Sequence, residues 1–223
     1  MLYLKENHQE LDAVVFDLGN VLLDYDPPRF MKDIGVPDQY HELMGNILFN
    51  NKNIWPKWDL GVLNREGIIQ QAILVEPSLK DEIIKYMENW DNYFYAVPHN
   101  VAAMYRIKET GTKVYVLSNF SQETFEKIRE HNAFLFDFDG MVISYQHHLI
   151  KPDPRIYQLL IETYNINPAR AVFIDDLEEN VKAGREAGFF GIHLPPCADV
   201  TPYFIFPEGQ ETVENSELRQ ETK

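Results

Sequence analysis

Residues 13–21 read Ala-Val-Val-Phe-Asp-Leu-Gly-Asn-Val, a short apolar run that ends on a carboxylate and breaks at once into Gly-Asn. A run this brief, rich in Val and Phe and bounded by turn formers, has the pattern of a strand covered on both faces, as in parallel sheets. Asp17 then stands at the carboxyl end of the strand. In open parallel sheets that edge carries the binding loops, because the strands hold them rigidly while leaving their side chains free. An aspartate after a strand also commonly does no more than open a turn, so Asp17 alone decides nothing.

The same pattern returns three times. Lys113-Val114-Tyr115-Val116-Leu117 ends on Ser118-Asn119, Met141-Val142-Ile143 leads through a polar loop to Lys151-Pro152-Asp153-Pro154, and Ala171-Val172-Phe173-Ile174 ends on Asp175-Asp176. Helical stretches separate them: Val101 to Lys108 stopping at Gly111, a helix capped by Ser121 and running through Ile128, one with Asp153 as N-cap and Pro154 at its first position, and one that carries Asn180 and finishes at Gly188. Phe189 to Leu194 reads as the last strand. Strands alternating with helices of about ten residues imply an α/β fold, a Rossmann-like parallel sheet wound by right-handed crossovers.

Residues 27–96 break this rhythm. The prolines of Asp26-Pro27-Pro28 end the first element, and helical patterns follow around Tyr40 to Phe49, Asn64 to Leu74 and Ser78 to Trp90, with Ser78 and Asp81 placed as a capping box. The segment holds Trp55, Trp58 and Trp90, all the tryptophans of the chain, and a turn at Trp58-Asp59-Leu60-Gly61. The expected organisation is a discontinuous core of residues 11–26 and 97–200, an inserted helical cap of residues 27–96, and a C-terminal extension of residues 201–223 that is partly disordered and polar beyond Pro207.

Composition bounds the partners. A net charge of −15 sets the chain against nucleic acid and anionic membrane surfaces. The single cysteine, Cys197, excludes an intramolecular disulfide framework, and no apolar run has the length of a membrane span. Met1 to Glu10 is polar where a signal peptide needs an apolar stretch, so a cytoplasmic protein is expected, acting as a monomer or weak homodimer.

Collected at one sheet edge, Asp17, Ser118, Asn119, Lys151, Asp175 and Asp176 form a chemistry. Three neighbouring carboxylates repel one another unless a cation holds them, and an oxygen-only donor set suits Mg²⁺. A hydroxyl, a backbone amide and a lysine can cradle phosphoryl oxygens. A carboxylate beside a clamped phosphoryl group can act as nucleophile through an aspartyl-phosphate.

Phe16-Asp17-Leu18-Gly19-Asn20-Val21, Val116-Leu117-Ser118-Asn119, Lys151-Pro152-Asp153-Pro154 and Phe173-Ile174-Asp175-Asp176 followed by Asn180 together resemble the four ordered motifs of the haloacid dehalogenase superfamily, over Val14 to about Leu194. The helical insertion between the first and second motifs is similar to members with the first type of cap. The Phe-Asp-Leu-Gly-Asn-Val form resembles the branch of bacterial α-glucose-1-phosphatase, near the phosphatase domain of soluble epoxide hydrolases. The resemblance implies that Asp17 is the nucleophile and a Mg²⁺ ligand, completed by the Gly19 carbonyl and Asp176. It implies further that Ser118 and the Asn119 amide bind phosphoryl oxygens, that Lys151 neutralises the nucleophile and transferring group, that Asp175 orients Lys151 or a metal water, and that Asn180 supports the loop.

One departure stands out. Most phosphatases of that superfamily place a second aspartate, the general acid and base, where this chain has Gly19, and losing such a group costs about 10²- to 10⁴-fold in rate. Asp24 or Asp26 could replace it, although each equally begins the Asp-Pro turn. The expected activity is Mg²⁺-dependent hydrolysis of a small phosphorylated metabolite, with a sugar 1-phosphate favoured because its leaving oxygen carries charge easily, and with Trp58 and Asp59 choosing the substrate. A metal-independent 2-haloacid dehalogenase and a non-catalytic phospho-ligand binder are the alternatives. Phe136-Asp137-Phe138-Asp139-Gly140 imitates a two-aspartate first motif but lies between the second and third motifs, and His147 and His148 read as loop residues.

Overall fold

The computed structural model describes residues 1–207. Its centre is a five-stranded parallel sheet built from β3 (Ala13–Phe16), β6 (Lys113–Ser118), β7 (Gly140–Ile143), β8 (Ala171–Asp175) and β9 (Phe190–His193), in the order β7-β6-β3-β8-β9. Val14 pairs with Val114 on one side and with Val172 on the other, so the first strand lies in the middle and is buried along its whole length. Strand order reverses at β3, which opens a crevice above its carboxyl end.

Side chains alternate between two cores. Val14, Phe16, Val116 and Ile174 face one layer, which includes α6 (Pro98–Glu109) and α7 (Gln122–His131) through Met104, Ile107, Phe125 and Ile128. Val15, Leu117 and Phe173 face the other, filled by Ile156, Tyr157 and Leu160 of α9 (Pro154–Tyr164) and by Ala183 of α10 (Glu178–Glu186). The period-2 burial of the strands thus becomes a three-layer α/β sandwich. Asp153 caps α9, its side chain accepting from the Arg155 amide. Ser121 precedes α7 but makes no cap hydrogen bond.

Between β4 (Leu23–Asp24) and β5 (Tyr95–Ala96), which pair antiparallel, the chain runs through α1 (Pro27–Asp33), α2 (Asp38–Leu48), α3 (Trp55–Asp59), α4 (Arg65–Val75) and α5 (Lys80–Asn89). Their shared interior is aromatic: ring centroids lie 4.6 Å apart for Phe30 and Tyr86, 4.4 Å for Phe49 and Trp55, and 4.9 Å for Trp55 and Trp90. The expected capping box at Ser78 is absent. Glu76 takes the Ser78 amide and hydroxyl instead, because a short 3₁₀ turn at Pro77–Leu79 precedes α5.

The chain ends add a sheet with no sign in the sequence. Leu2–Leu4 (β1), Gln9–Leu11 (β2) and Phe204–Ile205 (β10) form an antiparallel trio in the order β10-β1-β2, with Leu2, Leu4, Leu11 and Phe204 buried. The start of the C-terminal extension is therefore ordered structure paired to the N-terminus. The mobile tail expected beyond Pro207 falls on residues 208–223, outside those described. No helix among the described residues is long and apolar enough to cross a membrane.

Candidate active site

Asp17 follows β3 directly, its amide donating to the Ile174 carbonyl, so the strand pairing itself fixes where its side chain begins. Asp17 Oδ1 accepts from the Leu18 amide at 2.7 Å and from the Ser118 hydroxyl at 2.6 Å, and Lys151 Nζ stands 2.9 Å away. Every protein donor to this carboxylate converges on Oδ1, and Oδ2 has none among the described residues.

Lys151 is buried and bridges two strand ends, 2.6 Å from Asp175 Oδ2 as well. Asp175 is fully buried and also accepts from the Leu177 amide at 2.8 Å and from Asn180 Nδ2 at 3.0 and 3.1 Å. Asn119 acts through its side chain: Oδ1 accepts from the Lys151 amide at 2.8 Å and Nδ2 donates to the Lys151 carbonyl at 3.1 Å. An amide side chain on one loop thus pairs like a strand with the backbone that carries the lysine. Burial works against the lysine's charge, but the adjoining carboxylates outweigh it and hold Lys151 above its ordinary value.

Carboxylate oxygens of Asp17, Asp175 and Asp176 lie within 4.8 Å of one another. Burial raises the Asp17 carboxyl to about 7, with Lys151 pulling it down and Asp175 and Asp176 pushing it up. Burial also raises Asp176, against a 2.9 Å hydrogen bond from Asn20 Nδ2. A hard divalent cation fits this set: it meets oxygen donors alone, and it relieves the repulsion that one lysine leaves uncompensated. Asn20 is a contributor that the motif reading passed over. It holds a left-handed conformation, φ 56°, which Asn adopts more readily than most residues, and the Gly-Asn pair was the available signal.

These groups form the floor of a cavity of about 310 Å³. Its walls include Tyr25, Trp55, Trp90, Phe94, Ser121 and Thr124, with Asp59 on the same surface. Trp58, expected at the substrate, is not in that lining. It is buried, and its Nε1 donates to Glu123 Oε2 at 2.9 Å, because the short helix α3 turns position 55 rather than 58 toward the cavity. Nor do Asp24 and Asp26 line the cavity: Asp24 pairs with Arg29 at 2.7 Å, and Asp26 caps α1.

The remaining motifs have structural uses. Asp139 joins Lys113 Nζ at 2.8 Å and the Val114 amide at 3.0 Å, and Asp137 accepts from Tyr105, so Asp139 braces the start of β6 and Asp137 the neighbouring helix α6. His147, expected in a loop, instead ends the short helix α8 (Ser144–His147), and His148 after it contacts the Leu60 carbonyl through Nδ1 at 2.7 Å.

The haloacid dehalogenase-like hydrolase family model matches residues 11–188. A phosphorylated carbohydrates phosphatase of Thermotoga maritima is 28% identical over 190 residues, covering 82% of this chain and 84% of its own length. An (S)-2-haloacid dehalogenase of Pseudomonas putida is 22% identical over 197 residues, covering 81% and 84%. A haloacid dehalogenase family enzyme of Bacteroides thetaiotaomicron, solved with magnesium and inorganic phosphate, superposes with a TM-score of 0.68 at 21% identity over 86% of this chain and 98% of that one. The strand order, the carboxylate-lysine cluster at the carboxyl edge of the sheet and the match over residues 11–188 have one reading: this chain is an enzyme of the haloacid dehalogenase-like hydrolase family.

Proposed function

We propose that the chain is a phosphatase of small phosphorylated metabolites, with Asp17 as nucleophile, residues 11–26 and 97–200 as its core and residues 27–96 closing over the site as a cap. The observation that carries this reading is the one-sided engagement of Asp17: three protein groups hold Oδ1, and Oδ2 has no donor among the described residues, in a residue that lines the cavity. Oδ2 attacks phosphorus, the bond from phosphorus to the leaving oxygen breaks, and water then hydrolyses the aspartyl-phosphate. Lys151, held by Asp175 and by Asn119, offsets charge on the nucleophile and the transferring group. Ser118 and the Asn119 amide would meet phosphoryl oxygens, and Asn180 keeps Asp175 aligned. Asp17, the Gly19 carbonyl and Asp176 would hold Mg²⁺, which when bound neutralises charge on phosphoryl oxygens.

The walls favour a sugar phosphate. The faces of Tyr25, Trp55, Trp90 and Phe94 suit the C–H faces of a ring, and the buried Ser121 and Thr124 hydroxyls have no hydrogen-bond partner among the described residues, a lack a polyol can relieve. The Thermotoga maritima relative bears a name of this kind. Among sugar phosphates the 1-phosphate is favoured, since its leaving oxygen bears charge better than a primary alkoxide does. The dehalogenase reading has a relative behind it, but Asp175 and Asp176 would repel a carboxylate substrate. The binder reading leaves the one-sided nucleophile without a purpose.

Hydrolysis of 4-nitrophenyl phosphate with added MgCl₂ tests the proposal. Activity should disappear in EDTA and in Asp17→Asn with the circular dichroism spectrum unchanged. Full activity under either condition overturns the mechanism, and turnover of a 2-haloacid without metal supports the dehalogenase instead.

A further inference from the structure

A leaving alkoxide needs a proton, and the cavity holds few groups able to give one. Of its ionisable lining residues, Asp17 is the nucleophile, Lys151 is shared between two carboxylates, Asp176 is held by Asn20, and burial pushes the Tyr25 phenol far above its ordinary value. Gly19, two residues beyond the nucleophile, has no side chain to offer. Asp59 remains.

Its position is well determined. The Ser144 hydroxyl donates to the Asp59 carbonyl at 2.6 Å while also contacting the Phe120 amide at 2.9 Å, which fastens the end of α3 to the loop after β6. Two residues on, Gly61 has φ +68°, and a Cβ there would meet the Tyr145 carbonyl at 3.0 Å, so the turn lies flat on the sheet domain. The Asp59 backbone is thus tied down, while its carboxyl group has no hydrogen-bond or ion-pair partner among the described residues and Asp59 lines the cavity.

Resting on the phosphatase reading, we propose that Asp59, delivered by the helical insertion, is the general acid and base of the reaction. As Asp17 Oδ2 bonds to phosphorus, the electron pair of the breaking bond goes to the leaving oxygen, which takes the Asp59 proton and departs as the alcohol. Asp59 carboxylate then accepts a proton from the water that attacks phosphorus. The bond to Asp17 breaks, inorganic phosphate leaves and the Asp59 acid is restored. Burial and the nearby Asp17 charge raise this carboxyl to about 7, Lys151 opposing, so both protonation states are accessible near neutrality. Because the acid is carried by the insertion, proton delivery requires the docked insertion, and primary alkyl phosphates come within reach despite Gly19.

The test is a series of aryl phosphates of matched size and differing leaving-group acidity, extended to a primary alkyl phosphate, with kcat/KM read for the wild type and for Asp59→Asn in MgCl₂. The wild type should depend weakly on leaving group. Asp59→Asn should lose least on 4-nitrophenyl phosphate and about 10²-fold or more on the alkyl phosphate, steepening the slope. The slope is independent of the folded fraction, so a partly folded variant still reports it. Asp59→Glu, which keeps an acid, should hold the shallow slope, and a slope as steep as that of Asp59→Asn would overturn the proposal. Parallel lines for wild type and Asp59→Asn would also overturn it, leaving Asp59 to shape the cavity alone. A wild type that hydrolyses none of the series would instead overturn the phosphatase reading.

Discussion

Glu123, on α7 of the sheet domain, accepts from Trp58 Nε1 through one carboxylate oxygen and from the Arg65 backbone amide through the other, both at 2.9 Å. A single anion therefore grips the end of α3 and the start of α4, and Arg65 extends the junction by pairing with Asp91 at 2.6 Å.

Removing this anion should loosen the insertion and, through the Asp59 turn, slow the chemistry. Glu123→Ala leaves the buried Trp58 indole without its acceptor, a loss of about 1–3 kcal/mol, to be seen as a lower urea midpoint at unchanged m-value. Activity should fall along with it, because the Asp59 turn follows Trp58 directly. Glu123→Gln, which keeps an acceptor, should lose less on both measures.

Asn119→Ala should act on the lysine from behind. The side chain holds both the amide and the carbonyl of Lys151, and misplacing a catalytic group by about 1 Å can cost on the order of 10²-fold. The expected result is a fall in kcat with little change in KM, measured on 4-nitrophenyl phosphate.

Stability should fall as pH rises in EDTA. The Asp17 and Asp59 carboxyls each have an ordinary value of 3.8 and are raised by burial to about 7 in the fold. The folded state therefore holds protons that the unfolded chain has released, so their stabilising contribution is complete below about pH 4, is lost through about pH 7, and changes little above. Urea midpoints across this window should decline, and less so in Asp59→Asn. MgCl₂ at pH 7.5 should raise the midpoint, since a cation that binds only the folded state stabilises it. A midpoint rising from pH 4 to 7 would contradict the electrostatics given for the site.

Gly19→Asp should rescue Asp59→Asn on alkyl phosphates. A Cβ at Gly19 meets nothing nearer than Tyr25 Cβ at 4.0 Å, so the backbone accepts the side chain without strain. In the wild-type background, where Asp59 already supplies the proton, the same change should alter the ratio of hexose 1-phosphate to 6-phosphate rates little.

The sheet and its site were legible in the sequence to different depths. Asp17, Ser118 and Asp176 were visible because each closes or follows a short apolar run, and Lys151 because the polar loop after another such run leads to it; a parallel sheet gathers such ends at one edge whatever the intervening lengths. Trp58 was misread because a helix of five residues gives too few turns to show which of Trp55 and Trp58 faces inward. The partnership of Tyr3 with Ile205 was hidden for another reason: pairing across two hundred residues leaves no local periodicity, and the polar turn between β1 and β2 disguises both. Glu123 reads as an ordinary first-turn acid. Its role depends on the docking of a segment that arrives sixty residues earlier in the chain.

Tyr25, Trp55, Trp90 and Phe94 belong at once to the interior of the helical insertion and to the wall of the cavity, with Tyr25 and Trp90 rings 5.5 Å apart and edge to face. Divergence among descendants of this chain is channelled accordingly. Exchanging a ring to admit a new molecule would also open a void in a close-packed aromatic cluster, a loss of about 3–5 kcal/mol for an aromatic reduced to alanine, a large part of the stability margin of many domains. New preferences should accumulate instead at Thr124 and Leu177, which border the same space outside that stack, and the rings should persist in lineages whose substrates no longer resemble one another.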